Sequence, residues 1–176
     1  MNIKAVGPFA GYDAAPSIAI RLLMNVLTRP LKDHHKHCDN LFADAEAAVA
    51  AQDWSDARSL TSRFSGELEA HFRTEEETLF PAFESATGMS GGPTQMMRYE
   101  HAQMRDLIDQ MHSALGRQEE DSFSGAAETL LILMQQHNMK EENILYPMCD
   151  QHLAGQCAAL GPMLEKGLVS SCPMVG

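Results

Sequence analysis

Two short stretches hold the residues best suited to chemistry. Residues 71–81 read HFRTEEETLFP, and residues 137–147 read HNMKEENILYP. At one constant offset of 66, His71 matches His137, Glu75 matches Glu141, Glu76 matches Glu142, Leu79 matches Leu145 and Pro81 matches Pro147. Phe80 and Tyr146 form a conservative aromatic pair in the same register. In H-x-x-x-E the imidazole and the carboxylate stand four residues apart, so on a helix they are neighbours on one face. Mixed imidazole and carboxylate donors suit first-row transition metals.

The same offset extends upstream. The stretch DHHKHCD, residues 33–39, holds three histidines, and only His35 falls on another histidine, His101. His34 falls on Glu100 and His37 on Gln103. Around them Leu31 meets Met97, Cys38 meets Met104, Leu41 meets Leu107, Phe42 meets Ile108 and Val49 meets Leu115. Each half therefore reads as a helical hairpin carrying one histidine and, on the second helix, H-x-x-x-E. Shared helical register alone does not account for matched histidines, glutamates and prolines, so the chain contains a duplication or at least a twofold pseudo-repeat.

The elements that must position these residues are helices. Thr28 is placed to cap a first helix, with Pro30 in its first turn. Apolar residues then recur at helical spacing through Leu31, Cys38, Leu41, Phe42, Ala45 and Val49. QDWSD (52–56) breaks the pattern. A second stripe runs Leu60, Phe64, Leu68, Phe72 and Leu79, and Pro81 should stop it. SATGMSGGP (85–93) is the strongest loop signal. Thr94 then looks like the cap of a third helix through Met97, Met104, Ile108, Met111 and Leu115, which ends at GRQEEDS (116–122). Ser122 or Ser124 opens a fourth helix through Leu130, Leu131, Met134 and Leu145, ending near Pro147, and a weaker segment covers about 150–165. The expected fold is all-α: an up-down-up-down antiparallel four-helix bundle with an internal twofold pseudo-repeat and a short additional C-terminal helix. Residues 28–148 form the bundle, 1–27 an N-terminal arm, partly helical or extended and packed on it, and 149–176 a C-terminal helix and tail.

Helix heights bring the matched residues together. In such a bundle, residues equidistant from a turn lie at one level. His35 and His71 are equidistant from residue 53, His101 and His137 from residue 119, and Glu75 and His101 from residue 88, each inside a predicted turn. The hairpin turns are ~27 Å of helix away. His35, His71, Glu75, His101, His137 and Glu141 should thus share one layer and face inward along the apolar stripes. Burying four imidazoles and two carboxylates is costly unless something satisfies them. Two first-row metal ions with the carboxylates bridging would do so, and open positions beside such donors favour non-haem iron. Zinc and manganese fit less well: one zinc needs only about four ligands. A metal-free His/Glu hydrogen-bond network is the bland alternative.

The remaining titratable and sulfur-bearing residues read more plainly. His34 belongs at the rim or surface and His37 in solvent. His112 lies ~16 Å along its helix from His101, too far to share the site, and His152 is further still. Glu76, Glu77 and Glu142 read as solvated or supporting groups, Cys38 as core, and Trp54 as a cover over the bundle end. The twelve methionines are scattered at core spacing, which is packing rather than copper binding.

Composition narrows the function. The chain has 176 residues, 44% hydrophobic and 21% charged, with net charge −11. That length supports one well-buried domain, and the charge argues against nucleic acid and anionic membranes as partners. Four cysteines without a C-x-x-C pair fit a reducing compartment, hence the cytoplasm. IAIRLLMNVL (18–27) is short and carries Arg21, and no cleavage pattern follows, so neither a signal peptide nor a membrane span is expected.

The two H-x-x-x-E-E elements ending in an aromatic and proline, with His35 and His101 upstream, resemble the hemerythrin-like, HHE cation-binding family over about residues 28–148. The resemblance implies a non-haem di-iron centre, usually oxo- or hydroxo-bridged. His35 and His71 would hold one iron, His101 and His137 the other, with Glu75 and Glu141 bridging. Members carry or sense O₂, bind NO, or are implicated in peroxide chemistry and iron-centre repair. The chain departs from the oxygen carriers at Arg105, where they have a further histidine, which makes the two irons nearly equivalent and speaks against simple reversible O₂ transport. The expectation is therefore a di-iron protein binding O₂ or NO for sensing, storage or stress response. The alternatives are a di-iron enzyme or repair protein acting on peroxide or NO, or supplying iron, and a structural or regulatory metal-binding module. A redox or protein partner is compatible with any of these.

Overall fold

The computed structural model describes residues 27–169, and among them every regular element is helical. Helix α1 spans Arg29–Ala50 and buries Leu31, His35, Cys38, Leu41, Phe42, Ala45 and Val49, the predicted stripe with His35 in it. Thr28 stands at the N-cap, but its hydroxyl does not cap the helix. Its backbone N–H and its hydroxyl instead each donate to the buried Asp150 carboxylate, at 3.1 Å. The start of α1 is thereby tied to the far end of the chain's last bundle helix.

A tight turn through Gln52, left-handed at φ 57°, leads into α2, Trp54–Thr74. Asp53 caps α2 by accepting from the Asp56 N–H at 3.1 Å. Pro81 does not end this helix. A π-helical turn, Glu75–Leu79, carries it into α3, Phe80–Thr87, which stops at Gly88 with φ 73°. The fourth bundle helix behaves alike: α5, Glu120–Lys140, passes through a π turn, Glu141–Leu145, into α6, Tyr146–His152, beyond Pro147. In both turns the backbone partner shifts by one residue: Phe80 N–H bonds Glu75 C=O, and Tyr146 N–H bonds Glu141 C=O. Proline has no N–H to add to the ladder. Each proline directly follows the residue where the ladder changes its step, so the helix runs on.

Between these long helices lies α4, Pro93–Arg117. Its N-cap is Gly92 rather than Thr94, whose hydroxyl donates to Glu84 at 2.6 Å. Glu119, not a serine, precedes α5. After a 3-10 turn at Ala154–Gln156, the added C-terminal helix α7 spans Cys157–Leu168.

Contacting pairs show how the helices run. His35–His71 and Phe42–Phe64 join α1 to α2, Arg105–Glu69 and His112–Ser65 join α4 to α2, and Gln52–Glu120 and His35–Glu142 join the first hairpin to the last helix. In each case one number rises as the other falls, so neighbours are antiparallel. Two apolar clusters result. One holds Cys38, Phe42, Phe64, Phe72, Met104, Phe123 and Met134 toward the 51–53 and 118–119 turns. The other holds Leu27, Leu31, Leu79, Phe80, Phe83, Leu145 and Tyr146, with Leu160 and Leu164 of α7 added. The boundary expected at residue 148 lies inside α6. The expected arm 1–27, apart from Leu27, and the tail from 170 lie outside the described residues. Among the described residues no helix is long and apolar enough to cross a membrane.

Candidate metal centre

Between the two apolar clusters lies a polar layer. His35 is 4% exposed, and His71, Glu75, His101, His137 and Glu141 are each 0 or 1% exposed. All six residues singled out from spacing are brought together. His35 and His71 meet through their Nε2 atoms at 3.1 Å, and so do His101 and His137. Each glutamate spans both pairs. Glu75 Oε2 lies 3.5 Å from His71 Nε2 and 3.3 Å from His101 Nε2. Glu141 offers Oε1 to His137 and Oε2 to His35, both at 3.2 Å.

Three of the four imidazoles are fixed from behind. His35 Nδ1 lies 2.9 Å from Glu142 Oε1, His101 Nδ1 2.8 Å from Glu76 Oε1, and His137 Nδ1 2.9 Å from Glu100 Oε2. A carboxylate only accepts, so these Nδ1 atoms donate, and in a neutral ring the Nε2 lone pair then points inward. The centre is thus a convergence of nitrogen lone pairs and carboxylate oxygens. Glu75 Oε2 and Glu141 Oε1 accept no hydrogen bond of good geometry, although imidazole Nε2 atoms stand 3.2 to 3.5 Å away. So many buried acceptors aimed at common points require positive charge between them. The donor sets Glu75, His101, His137, Glu141 and His35, His71, Glu141 each converge closely enough to hold a cation.

Protons supply that charge when no metal does. Burial opposes a charged ring at His137, but the Glu141 and Glu100 carboxylates outweigh it and raise its pKa to about 10. His35 and His101 are raised against burial by Glu141 with Glu142, and by Glu75 with Glu76. His71 goes the other way: burial and the neighbouring His35 charge hold it well below the ordinary value. Burial and the Glu141 charge raise Glu75, while the facing histidines overcome burial and hold Glu141 well below the carboxylate range.

Two residues singled out in the sequence stand beside the centre rather than in it. Arg105 does not face the centre. Its guanidinium grips Glu69 with Nε and Nη2 at 2.7 and 3.1 Å, binds Glu76 with Nη1 and Nη2 at 3.0 and 3.2 Å, and lies over the Phe72 ring. Arg105 orients the carboxylate that orients His101. Despite partial burial, His101 and Arg105 together lower the Glu76 pKa to about 2. His34 stands part buried at the edge of the layer. Its ring stacks on His71 at 5.4 Å between centroids, and its Nε2 lies 3.2 Å from Glu67 Oε2.

Two functional residues were missed from spacing, and both sit where the repeat is broken. Glu100, which holds His137, matches His34, so the carboxylate behind His137 has no equivalent behind His71, whose Nδ1 is unpartnered. Tyr146 matches Phe80, and its buried hydroxyl reaches the centre, 2.7 Å from Glu75 Oε1 and 3.0 Å from Glu141 Oε2. In an α-helix five residues advance about 500°, which would turn Tyr146 ~140° away from Glu141. The π turn absorbs one extra residue, so Tyr146 stays on Glu141's face. The other histidines stay apart: His112 pairs with Ser65 Oγ at 3.1 Å, His152 packs near Phe83, and His37 near His34.

The model of the hemerythrin HHE cation-binding domain matches residues 26–149, most of the chain. The chain belongs to the hemerythrin family. Its hemerythrin domain covers all four bundle helices and the whole polar layer. A hemerythrin-like protein of Schizosaccharomyces pombe is 29% identical over 140 residues, which cover 77% of this chain and 66% of that protein. The chain therefore spans a little under two thirds of that relative. No solved structure matches it. As a hemerythrin domain it binds metal cations, and its buried His/Glu cluster is the place where the donors converge.

Proposed function

We propose that the cluster holds two iron ions and that the protein binds a small diatomic ligand, O₂ or NO, for sensing, storage or stress response. The observation that carries this reading is the span of Glu75 and Glu141 across two separate histidine pairs. Four imidazoles and two shared carboxylates exceed what one tetrahedral ion uses, and they are a donor set that iron accepts with positions left over. His35 and His71 hold one ion, His101 and His137 the other, and both glutamates bridge. The irons supply the redox-active centre at which a diatomic ligand binds.

The chain's own residues prepare that centre. Glu142, Glu76 and Glu100 set the tautomer and direction of three ligands, and Arg105 holds Glu76 in place. Phe72 and Phe80 lie against His101 and keep water from that side. Cys38, Cys149 and Cys157 are free thiols, which supports a reducing, cytoplasmic setting. The acidic surface favours neither nucleic acid nor membrane, and a redox or protein partner would supply electrons.

Metal analysis of protein purified from cells, with its optical spectrum, tests this. About two irons per chain and near-ultraviolet bands of a bridged diferric pair are expected. One zinc per chain without such bands would sink it. Titrating the reduced protein with O₂ and NO then separates reversible binding from consumption, and consumption with turnover would favour a di-iron enzyme acting on NO or peroxide.

A further inference from the structure

We propose that the Tyr146 hydroxyl oxygen is itself a metal ligand, and that it belongs to the position held by His35 and His71. This rests on the di-iron reading. Both glutamates reach both histidine pairs, but not evenly: Glu75, His101, His137 and Glu141 converge as a group of four, whereas only Glu141 converges as closely with His35 and His71, Glu75 Oε2 standing 3.5 Å from His71 Nε2. Tyr146 stands on the His35 and His71 side. Its oxygen is 3.3 Å from His35 Nε2, 3.4 Å from His71 Nε2 and 3.0 Å from Glu141 Oε2. His35 Nε2 is in turn 3.1 Å from His71 Nε2 and 3.2 Å from Glu141 Oε2. Adjacent ligands of a first-row ion with bonds of ~2.1 Å stand ~3.0–3.4 Å apart, from octahedral to tetrahedral geometry. These five separations lie in that range, and the 2.7 Å contact of the hydroxyl with Glu75 Oε1 is a hydrogen bond that coordination would replace.

The pseudo-repeat makes the point sharper. Phe80 is the counterpart in the other half, where its ring packs 6.0 Å from the His101 ring and brings no donor. The oxygen is thus present only at the position on which Glu75 converges less closely. Tyr146 is completely buried, so no bulk water competes for its place. On coordination the phenol O–H bond breaks, the oxygen–metal bond forms, and the proton leaves to solvent. The two irons would then be unequal: each has two imidazoles, and only the one at His35 and His71 has a phenolate oxygen.

The test uses the full chain loaded with ferrous iron and oxidised in air. Iron per chain is measured first, then the visible spectrum and resonance Raman scattering excited in the visible. A phenolate bound to ferric iron gives a visible charge-transfer band, with tyrosine ring modes enhanced under it. Both are expected in the unaltered protein, and Tyr146→Phe should lose both, keep the near-ultraviolet absorption, and bind the His35/His71 iron about tenfold or more weakly. Raman needs only the unaltered protein, so a variant that fails to fold leaves the result standing. About two irons per chain without tyrosine ring modes would overturn the proposal and leave Tyr146 a hydrogen-bond donor to Glu75. A chain that takes up no iron would sink the di-iron reading itself, and the ligand with it.

Discussion

His35, His34 and His37 lie within one turn of α1 yet meet three different surroundings. His35 Nε2 faces His71 and Glu141, His34 stacks on His71 from outside, and His37 is part exposed beside His34. His35→Ala removes an inward nitrogen and should lose much of the bound metal. His34→Ala and His37→Ala should keep most of it, because neither places a nitrogen among the converging donors. Metal content after gel filtration checks this, and equal loss in all three variants would mean that His35 has no special place. The same logic explains why Arg105 tolerates the position that a further ligand could have held. A guanidinium cannot ligate a cation, but it can neutralise and orient Glu69 and Glu76.

The helices succeed as elements because their breaks come in the right places. The π turns at Glu75–Leu79 and Glu141–Leu145 begin on the two carboxylates that span the centre. They bring Phe80 and Tyr146 onto the same face one residue late. Helix α7 clamps the first of these turns. A Cβ at Gly167 would lie 2.4 Å from Thr74 Oγ1, which is already bound to Ala70 C=O at 2.7 Å. Gly167→Ala should therefore destabilise the fold by ~1–3 kcal/mol, read in urea unfolding, and Thr74→Ala in the same chain should return part of that loss. A second junction holds α3 to α4, where Arg98 and Thr94 both donate to Glu84. The little burial there would raise its carboxyl, but these two donors win and hold it below the usual range. A lowered folded pKa gives stability that is present above the unfolded value of about 4.3 and lost as the pH falls through the folded one. Glu84→Gln should thus be less stable than the unaltered chain at pH 7, and the gap should close as the pH falls below the ordinary carboxylate range. A gap independent of pH would remove the ion pair as its cause.

As a whole molecule, the bundle is two apolar clusters held apart by a layer of buried charge. That layer is a weakness without metal, since converging acceptors must then share protons. Metal that binds the folded chain alone stabilises it by mass action, about 2.7 kcal/mol per site at one hundred times Kd. For a chain of this size that is on the order of 5–10 °C in Tm per site. Stripping the bound metal with a chelator should lower Tm by that order, and returning it should restore the value. An unchanged Tm would mean that the layer is satisfied by its own hydrogen bonds.

Much of this architecture is legible before any coordinates. The 66-residue offset, the four-residue His/Glu step and the turn midpoints place all six donors in one layer, because helical periodicity and antiparallel packing are local rules that spacing records. The twofold seemed to imply two nearly equal metal positions. Folding makes the surroundings of the two histidine pairs unequal, through His34 where the other half has Glu100 and Tyr146 where it has Phe80. Spacing could not show this. A π turn rotates Tyr146 into the centre against the α-helical count, and whether an aromatic packs or donates depends on helices over 70 residues away in the chain, as with Glu75. The donors follow from the order of residues along each helix. Their asymmetry follows from which side chains the packed helices bring face to face.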